Sequence, residues 1–368
     1  MREIPGSEEI VEGATRLLVP QDHSRRGPGK REGVFYNAQM NFNRDVSVML
    51  FRAIRPRGTA LDSMAGTGAR GVRICNEAPG DYEMVVNDAY PLALPYIEAN
   101  LALNGLQDAR PSQENMQCLL ADRPFDCVDV DPFGSPVPFL DSALRGCKRN
   151  GMLALTATDT APLSGTYPGK CQRRYLSRPI RCPFGHEVGL RILIGFVARE
   201  AGKYDRGIRP LLCFYADHYF RLHLRMEEGA KRADRSLSHI TSMSYMPNTG
   251  TRRLSDQGEH GPIWGGPLMD RELVEGLRPT DDLACPGKAG RTVSIWREEL
   301  DSPLFYESDE MASLLKGSPP PMESILGALR EHGRASRTHF SPTGFKTDLT
   351  SEEVISILSD LMRDEQFM

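Results

Sequence analysis

The sequence lacks the cysteine and histidine spacings of a metal or disulfide protein. No two of its eight cysteines are spaced as Cys-x-x-Cys, and its eight histidines form no metal-ligand spacing. Neither a zinc knuckle nor a dense disulfide framework is therefore indicated, and no metal site is predicted. We expect most cysteines to be reduced and buried, while Cys171 and Cys182, which bracket a basic stretch, leave a minor disulfide or metal alternative open.

Long apolar runs are also lacking. No run approaches the roughly 18 residues that a membrane span needs. The first twenty residues, MREIPGSEEIVEGATRLLVP, carry charges where a signal peptide has its apolar centre. The sequence thus predicts a soluble, cytoplasmic protein, with no membrane partner and no evident obligate protein partner.

The chain has no strong net charge: 45 Lys and Arg stand against 49 Asp and Glu, a net charge of -4. This balance argues against indiscriminate coating of nucleic acid. Basic residues nevertheless cluster in residues 145–149, 170–181, 221–235 and 330–346. A single run is usually a solvated helix face, but four together favour a surface facing RNA. The predicted RNA contacts are Arg173, Arg174, Arg334, Arg337, Phe340 and Lys346.

Short apolar runs alternate with helical stretches from Gly58 onward, in TALDSMAG, EMVVNDAY, FDCVDVDPFG and MLALTATDT. This alternation predicts an α/β fold, a doubly wound parallel sheet with helices on both faces. The run RPLLCFYADHYFRLHLRME is predicted to be a β-hairpin that closes one edge of the sheet.

The length of 368 residues suggests two domains. The first forty residues form an arm, with a strand at TRLLVP, a Gly- and Arg-rich loop at residues 24–33, and then an apolar helix containing VSVMLFRAI. A Gly- and Pro-rich stretch at residues 261–270 marks the predicted boundary. Residues 1–260 would be the arm and the α/β domain, and residues 261–368 a smaller α+β domain that binds RNA.

The segment LDSMAGTGARGVR ends a predicted strand at Asp62, places Gly66 and Gly68 in a loop, and begins a helix near Arg70. Glycines at the carboxyl end of a strand let the backbone approach a ligand closely, although alone they also fit a tight turn. Asp88 follows the next strand and can accept both hydroxyl hydrogens of a ribose.

The third glycine of a dinucleotide fingerprint is misplaced, because Gly71 follows Gly68 too closely. A mononucleoside without a pyrophosphate fits better, and S-adenosylmethionine is the commonest one. The next strand would end near SQENMQ, where Glu114 and Asn115 could reach the adenine.

A third apolar strand ends in Asp129-Val130-Asp131-Pro132-Phe133-Gly134. A carboxylate here can accept one hydrogen of an exocyclic amine while the Pro132 carbonyl accepts the other, and Phe133 can stack on the base. The same four residues also fit a β-turn, and both interpretations can hold. The predicted reaction is direct displacement at the sulfonium methyl group, with Asp131 orienting and deprotonating the amine.

Many segments, in order along nearly the whole chain, resemble the Trm1 family of transfer RNA (guanine-26) dimethyltransferases, and its small archaeal members most closely. They include VFYNAQMNFNRD, LDSMAGTGARGVR, VNDAYPLA, DVDPFGSPVPFLDSALR, HEVGLRILIG and RTHFSPTGFKT. The resemblance implies a class I S-adenosylmethionine-dependent methyltransferase that methylates the exocyclic 2-amino group of guanine 26 once or twice.

The resemblance also assigns roles to residues. It implies cofactor contacts from Arg44, Arg70 and Asp88, adenine contacts from Glu114 and Asn115, catalysis by Asp131, and a guanine pocket lined by Phe35 and Phe133. Two departures stand out. The four-cysteine zinc site of some members has no counterpart here, and the family's Asp-Ala pair is replaced by Glu114-Asn115.

Two rival functions remain open from the sequence. A DNA amino-methyltransferase uses the same combination of carboxylate or amide, proline and aromatic residue. An RNA-binding module that has kept the fold and lost the cofactor is the non-enzymatic alternative, against which the presence of Asp62, Asp88 and Asp131 argues.

Overall fold

The computed structural model describes residues 4–23 and 33–366, so the predicted Gly- and Arg-rich loop lies almost wholly outside the described residues. Contacts divide the chain into two compact units. Unit 1 comprises Met1–Ala157, Arg221–Glu228 and Asp270–Val293, and unit 2 comprises Thr158–Phe220, Gly229–Met269 and Ser294–Met368. These units are discontinuous in sequence, whereas the predicted boundary after residue 260 is a single division of the chain, which stays a prediction.

The strands, in chain order, are β1 (Ser7–Glu12), β2 (Thr15–Pro20), β3 (Gly58–Asp62), β4 (Tyr82–Asn87), β5 (Arg110–Ser112), β6 (Phe125–Val130), β7 (Cys147–Ala157), β8 (Arg206–Ala216), β9 (Tyr219–Glu228), β10 (Ile240–Met246), β11 (Thr251–Leu254), β12 (His260–Trp264), β13 (Tyr306–Glu307), β14 (Ala335–Arg337) and β15 (Gly344–Thr347).

The α-helices are α1 (Asn41–Ile54), α2 (Ala69–Glu77), α3 (Ala93–Leu103), α4 (Met116–Asp122), α5 (Val137–Gly146), α6 (Thr160–Leu163), α7 (Pro168–Tyr175), α8 (Gly185–Gly202), α9 (Ala230–Leu237), α10 (Arg271–Gly276), α11 (Pro286–Glu298), α12 (Ser308–Leu315), α13 (Met322–Arg330) and α14 (Ser351–Gln366). A short 3-10 turn, Ala38–Met40, precedes α1.

The main sheet has the strand order β5-β4-β3-β6-β7-β9-β8. Its first five strands are parallel, and helices connect them along the chain. The predicted doubly wound α/β sheet is therefore confirmed. The predicted hairpin at its edge is confirmed as well, since β8 and β9 are neighbours in the sheet and only residues 217 and 218 separate them.

The N-terminal arm is an antiparallel hairpin of β1 and β2, of which the sequence predicted only the second strand. Leu17 and Val19 of β2 are fully buried. The Asn100 side chain, on α3, accepts from the Leu18 amide at 2.6 Å and donates to the Leu18 carbonyl at 3.0 Å. The side-chain amide of Asn100 thus makes the two backbone hydrogen bonds that a neighbouring strand would make, and it fixes β2 within unit 1.

Unit 2 contains two three-stranded sheets, β11-β10-β12 and β13-β15-β14. The second sheet and the helices α12, α13 and α14 share a hydrophobic core that includes Leu329, Phe345 and Val354. This part of the unit agrees with the predicted α+β character of the C-terminal region. Among the described helices, none has the length and apolar composition that a membrane crossing needs.

All eight cysteines are free, so the disulfide alternative for Cys171 and Cys182 is wrong. Four cysteines are buried, three are half-buried, and Cys118 is exposed. The expectation that most of them are buried therefore holds for only half. The described residues hold no group of three or more His, Cys, Asp or Glu side chains arranged for a metal ion.

Candidate active site

The site forms where the order of the sheet reverses. From β3 the chain proceeds to β4 and β5 on one side, whereas β6 and β7 lie on the other side. Asp62, the last residue of β3, is the register partner of Asp129 on β6. Ligands of open α/β sheets bind at the carboxyl ends of strands at such a reversal, so this topology brings the predicted acidic residues to the expected edge.

The glycine loop after β3 is shaped by the backbone of Phe35 and by Asp88. Gly66 has a φ of +55°, and a Cβ added there would lie 2.6 Å from the Phe35 carbonyl oxygen, so a larger residue has no room. The Asp88 carboxylate accepts from the Gly66 amide at 2.7 Å and from the Tyr90 amide at 2.9 Å. Asp88 therefore fastens the loop that it faces.

A pocket of about 360 Å³ opens beside this loop. Its lining consists of Gly33, Val34, Phe35, Gly66, Asp88, Tyr90, Ala93 and Phe133. Phe35 and Phe133 contact each other edge to face, with ring centroids 4.7 Å apart. Phe133 is 70 % exposed, so its ring is available to a planar ligand.

Asp131 directly follows β6 and forms an ion pair with the buried Arg70 of α2. The Arg70 guanidinium also donates to the Asn43 side chain and to the Ser47 hydroxyl, each at 2.8 Å. Burial would lower the pKa of Arg70, but the carboxylates of Asp129 and Asp131 outweigh it and raise that pKa. Arg70 is therefore a permanent cation that orients the Asp131 carboxylate.

The pKa values of Asp62 and Asp129, which lie beside Asp131, are shifted in opposite directions. Burial raises the pKa of Asp62 to about 7, although Arg70 opposes the shift. Burial also acts on Asp129, but Arg221 and Arg70 outweigh it and lower its pKa to about 2. Asp129 is thus ionised throughout the physiological range, whereas Asp62 gains a proton near neutral pH.

The remaining predicted cofactor residues are not in the described lining of the pocket. Arg44 is buried and donates to both carboxylate oxygens of Glu12 at 2.6 Å. The Asp62 carboxylate accepts from the Gly71 amide at 2.9 Å, which fastens the start of α2. Gly68 precedes α2 with a φ of +80°.

The two predicted adenine residues, after β5, are both exposed. The Glu114 amide donates to the Asn87 side chain at 2.9 Å, and the Glu114 carboxylate accepts from Ser112 at 3.1 Å. The Asn115 side chain caps α4 by accepting from the Gln117 amide at 2.9 Å. β5 has only three residues, so the sequence before Glu114 carries little strand periodicity.

Known proteins identify the family of this chain. A family model described as "N2,N2-dimethylguanosine tRNA methyltransferase" matches residues 13–359. The chain belongs to this family. It is 39% identical to the tRNA (guanine(26)-N(2))-dimethyltransferase of Pyrococcus abyssi, over 95% of this chain and 98% of the relative. It is 40% identical to that of Thermococcus kodakarensis, over 96% and 99%.

A solved structure of the family has the same fold. The complex of Trm1 from Pyrococcus horikoshii with S-adenosyl-L-methionine matches with a TM-score of 0.87 and 36% sequence identity. The match covers 95% of this chain and 99% of that chain. The predicted class I methyltransferase fold and the resemblance to the Trm1 family are thereby confirmed.

In the present chain, the basic residues predicted to contact RNA differ from one another in their partners. Arg173 is exposed on α7, and the neighbouring Arg174 pairs with Asp159 at 2.9 Å. Arg334 pairs with Asp348 at 2.8 Å, and Arg337 pairs with Glu323 at 2.9 Å. All four lie in unit 2 and have at least part of their side chains in contact with solvent.

Two of the predicted RNA contacts are wrong for this structure. Lys346 is 2 % exposed, with its Nζ 3.1 Å from the Glu299 carboxylate and 3.5 Å from that of Glu187. Phe340 is also buried and stacks on Phe305. Lys346 lies on β15, whose four residues are all buried, and Phe340 is buried just before the partly exposed turn of residues 341–343, although the composition of the segment is that of a surface loop.

Sequence reasoning also missed two residues of the site. Tyr90 lines the pocket, but in the segment NDAYPLA only Asp88 was given a role from the sequence. Arg221 bonds both carboxylate oxygens of Asp129 from 92 positions away. Tyr90 could have been found from its distance of two residues from Asp88, but no local pattern marks Arg221.

Proposed function

We propose that this chain transfers one or two methyl groups from S-adenosylmethionine to the 2-amino group of guanine 26 in tRNA. The observation that carries the proposal is that one pocket joins the Gly66 and Asp88 corner to the aromatic pair Phe35 and Phe133. A nucleoside cofactor and a planar base need these two kinds of surface side by side. Membership of the dimethylguanosine methyltransferase family makes the chain an S-adenosylmethionine-dependent methyltransferase.

The Asp88 corner fits a nucleoside. Each carboxylate oxygen of Asp88 accepts one backbone hydrogen, which leaves further lone pairs for ribose hydroxyls. The lack of a Cβ at Gly66 lets the Phe35 backbone pack against the loop, which places both residues in the lining of the pocket. Arg44, Asp62, Gly68, Arg70, Glu114 and Asn115 complete the proposed cofactor residues, and Arg44 and Asn115 would have to exchange their present partners for direct contacts.

Asp131, Pro132 and Phe133 would act on the guanine. The lone pair of an exocyclic amine is delocalised into the ring, and it becomes nucleophilic when its hydrogens are held by acceptors. The carboxylate of Asp131 accepts one hydrogen and the carbonyl of Pro132 the other, while Phe35 and Phe133 hold the base. Because Arg70 occupies one side of the Asp131 carboxylate, lone pairs on the other side remain for the amine.

The cofactor, when bound, supplies an electrophilic methyl group on a sulfonium sulfur. As the new nitrogen–carbon bond forms, the carbon–sulfur bond breaks and its electron pair stays on sulfur. The amine then carries an extra proton, which Asp131 accepts and passes to water. Positioning of the amine in line with the methyl group supplies most of the acceleration, so no nucleophilic side chain is needed.

The exposed arginines of unit 2 would hold the tRNA. Guanine 26 must leave its stack to reach a pocket, so phosphates on both sides of it need firm contacts. Arg173 and Arg174 on α7, with Arg334 and Arg337, are the proposed phosphate contacts. Arg334 and Arg337 would exchange exposed carboxylates for phosphates, an exchange that costs little because exposed ion pairs contribute about 0 to 1 kcal/mol.

The test uses Asp131→Ala with unmodified tRNA and labelled cofactor, and maps the methyl group by mass spectrometry. We expect wild-type enzyme to label the 2-amino group of guanine 26, and the variant to lose at least about 100-fold in rate. Cofactor affinity should change by no more than a few-fold, because Asp131 acts mainly in the transition state. The matched control is Asp108→Ala, an exposed acidic residue in the loop before β5 that is not in the lining of the pocket.

A second variant tests the cofactor corner separately. Asp88→Ala should weaken S-adenosylmethionine binding by about 2 kcal/mol or more in calorimetry, because charge-assisted hydrogen bonds are lost. Unchanged affinity in a folded Asp88→Ala protein would remove Asp88 from the site. If the wild-type enzyme methylated DNA and transferred no methyl group to tRNA, the substrate would be that of the rival enzyme class.

A further inference from the structure

Arg221 is a fully buried cation that the reaction described above does not use. It lies on β9 and donates from Nη1 to Asp129 Oδ1 at 3.0 Å, and from Nη2 to Asp129 Oδ2. Nη1 also donates to the Thr156 hydroxyl at 2.9 Å. Two bonds to one carboxylate make the strongest geometry available to an arginine, so Arg221 is the main counter-ion of Asp129.

Asp129 also faces the arginine that holds the catalytic carboxylate. Arg70 Nε lies 3.8 Å from Asp129 Oδ2, and Arg70 Nη2 donates to Asp131. The Ser47 hydroxyl accepts from Arg70 at 2.8 Å and from Arg221 at 3.3 Å. Arg221, Asp129, Arg70 and Asp131 therefore form a line of alternating charges, here named the Asp131 cluster.

The geometry sets up a competition for Arg70. Asp129 and Asp131 are two carboxylates within reach of one guanidinium, and the closer contact goes to Asp131. Arg221 makes this possible, because Asp129 is already paired. Among the described residues, Asp62 on β3 and His223 on β9 also act on the cluster, and they lie on opposite sides of β6 in the strand order.

We propose that Asp129 and Arg221 are positioning residues for methyl transfer: Arg221 occupies Asp129, so that Arg70 stays paired with Asp131 and orients that carboxylate. The inference rests on the proposed function, since it concerns Asp131 as the group that accepts the amine hydrogen. Neither residue needs to touch the substrate, because each acts through Arg70.

The two charges of the pair should have opposite effects on the pH–rate profile. In Arg221→Met, the unpaired Asp129 draws Arg70 away from Asp131, so the acid limb of kcat moves to higher pH. In Asp129→Asn, Arg70 loses its competing carboxylate and Asp131 loses a negative neighbour, so the limb moves to lower pH. We expect shifts of at least about 0.5 pH unit in opposite directions, and kcat at neutral pH at least about tenfold lower in Arg221→Met.

Conservative and double variants separate positioning from folding. Arg221→Lys keeps the buried charge but cannot bond both carboxylate oxygens in the same plane, so it should fold and shift the limb in the direction of Arg221→Met by a smaller amount. The double variant should behave like Asp129→Asn alone, because Arg221 acts through Asp129. All rates are measured at saturating cofactor and tRNA, so that affinity does not enter.

The matched control is Arg191→Met in unit 2. Arg191 is as buried as Arg221 and pairs with Glu187 at 2.8 Å, so its loss tests the effect of removing a buried cation elsewhere. The control should lower the melting temperature and leave the acid limb in place. Folded Arg221→Lys and Asp129→Asn proteins whose acid limbs stay at the wild-type pH would overturn the proposal.

The outcome for Asp131→Ala distinguishes the two levels of inference. If Asp131→Ala is inactive and the positioning variants keep the wild-type profile, only the roles of Asp129 and Arg221 are wrong. If Asp131→Ala itself turns over at near the wild-type rate, the catalytic assignment fails first, and the positioning proposal falls with it.

Discussion

Two clusters of buried charge, one in each unit, differ in where they end. The Asp131 cluster of unit 1 begins at the fully buried Arg221 and ends at Asp131, whose side chain is 20 % exposed. The Glu299 cluster of unit 2 consists of Glu187, Arg191, Lys346, Glu299 and His339, all with less than about a tenth of the side chain exposed.

The two carboxylates of the Glu299 cluster are closed off by hydrogen bonds from the protein itself. Glu299 accepts from the Thr338 hydroxyl at 2.7 Å and from the His339 amide at 3.0 Å. Glu187 accepts from the amides of Leu304 and Phe305 at 3.0 and 3.1 Å. Its carboxylates thus hold backbone in place and present nothing to a ligand.

The difference teaches that buried charge alone does not mark a functional site. Both clusters satisfy the requirement that buried ions be paired, since an unpaired one costs several kcal/mol. Only the Asp131 cluster leaves a carboxylate in contact with solvent, at the end of a parallel strand. We therefore expect substitutions in the Asp131 cluster to lower the rate of methyl transfer, and substitutions in the Glu299 cluster to lower the free energy of unfolding.

The largest effect on stability is expected from Glu299→Gln. The amide keeps a hydrogen-bond acceptor for Thr338 but leaves the buried Lys346 with only the more distant Glu187. We expect a loss of about 3 kcal/mol in the free energy of unfolding. Chemical denaturation at neutral pH measures it, and kcat of the folded protein should stay within about twofold.

The control for this variant is Glu323→Gln, which breaks the exposed ion pair with Arg337. It should cost less than about 1 kcal/mol.

Burial would raise the pKa of Glu299, but His339 and Lys346 outweigh it and lower that pKa far below its usual value. The stability that Glu299 contributes is thus present above about pH 4.5 and lost at lower pH. If Glu299→Gln lowered the free energy of unfolding equally at pH 7 and pH 3, the ionised Glu299 would not be what stabilises the Glu299 cluster.

A smaller effect of opposite sign is expected at Asp62, beside the Asp131 cluster. The pKa of Asp62 is raised to about 7, so the folded protein binds its proton more tightly than the unfolded chain. Stability therefore falls as pH rises from about 4 to 7. Asp62→Asn removes this dependence, and relative to wild type its free energy of unfolding should gain at least about 2 kcal/mol between pH 4 and pH 8. Thermal melts across that range measure the difference, and a constant difference would show that Asp62 stays ionised.

The smallest effect is expected from replacing Arg334 and Arg337 together with alanine. Their ion pairs are exposed, so stability should change by less than about 1 kcal/mol. If they contact phosphates, tRNA affinity should fall about tenfold and the slope of log affinity against log salt should flatten by about 2. Cofactor affinity should not change. An unchanged slope with lower thermal stability would assign both arginines to the acidic partners that they contact here.

The sheet and most of the pocket could be predicted because their signals are local. Asp62, Asp88 and Asp131 each stand at or just after the end of an apolar run, and β3, β4 and β6 end within one residue of them. The edge hairpin was also evident from its two apolar strands. These features depend on side-chain periodicity and on turn residues, which the sequence shows directly.

The errors arose where distant residues determine burial. Lys346 lies in a Gly- and Pro-punctuated basic segment, but Glu187 and Glu299, 159 and 47 positions earlier, provide its partners. Phe340 is buried by its stacking on Phe305. Arg221 was missed for the same reason, because only the folded sheet brings β9 beside β7 and within reach of Asp129.

The loop held by Asp88 has a consequence for the kinetics of ligand capture. Its carboxylate ties the Gly66 and Tyr90 amides through contacts within the chain itself, so the conformational entropy of this corner is lost during folding. A nucleoside arriving here meets a surface of nearly final shape at this corner. Association there can proceed in a single step whose rate grows in proportion to ligand concentration, and differences in affinity among related nucleosides should reside in how fast they leave.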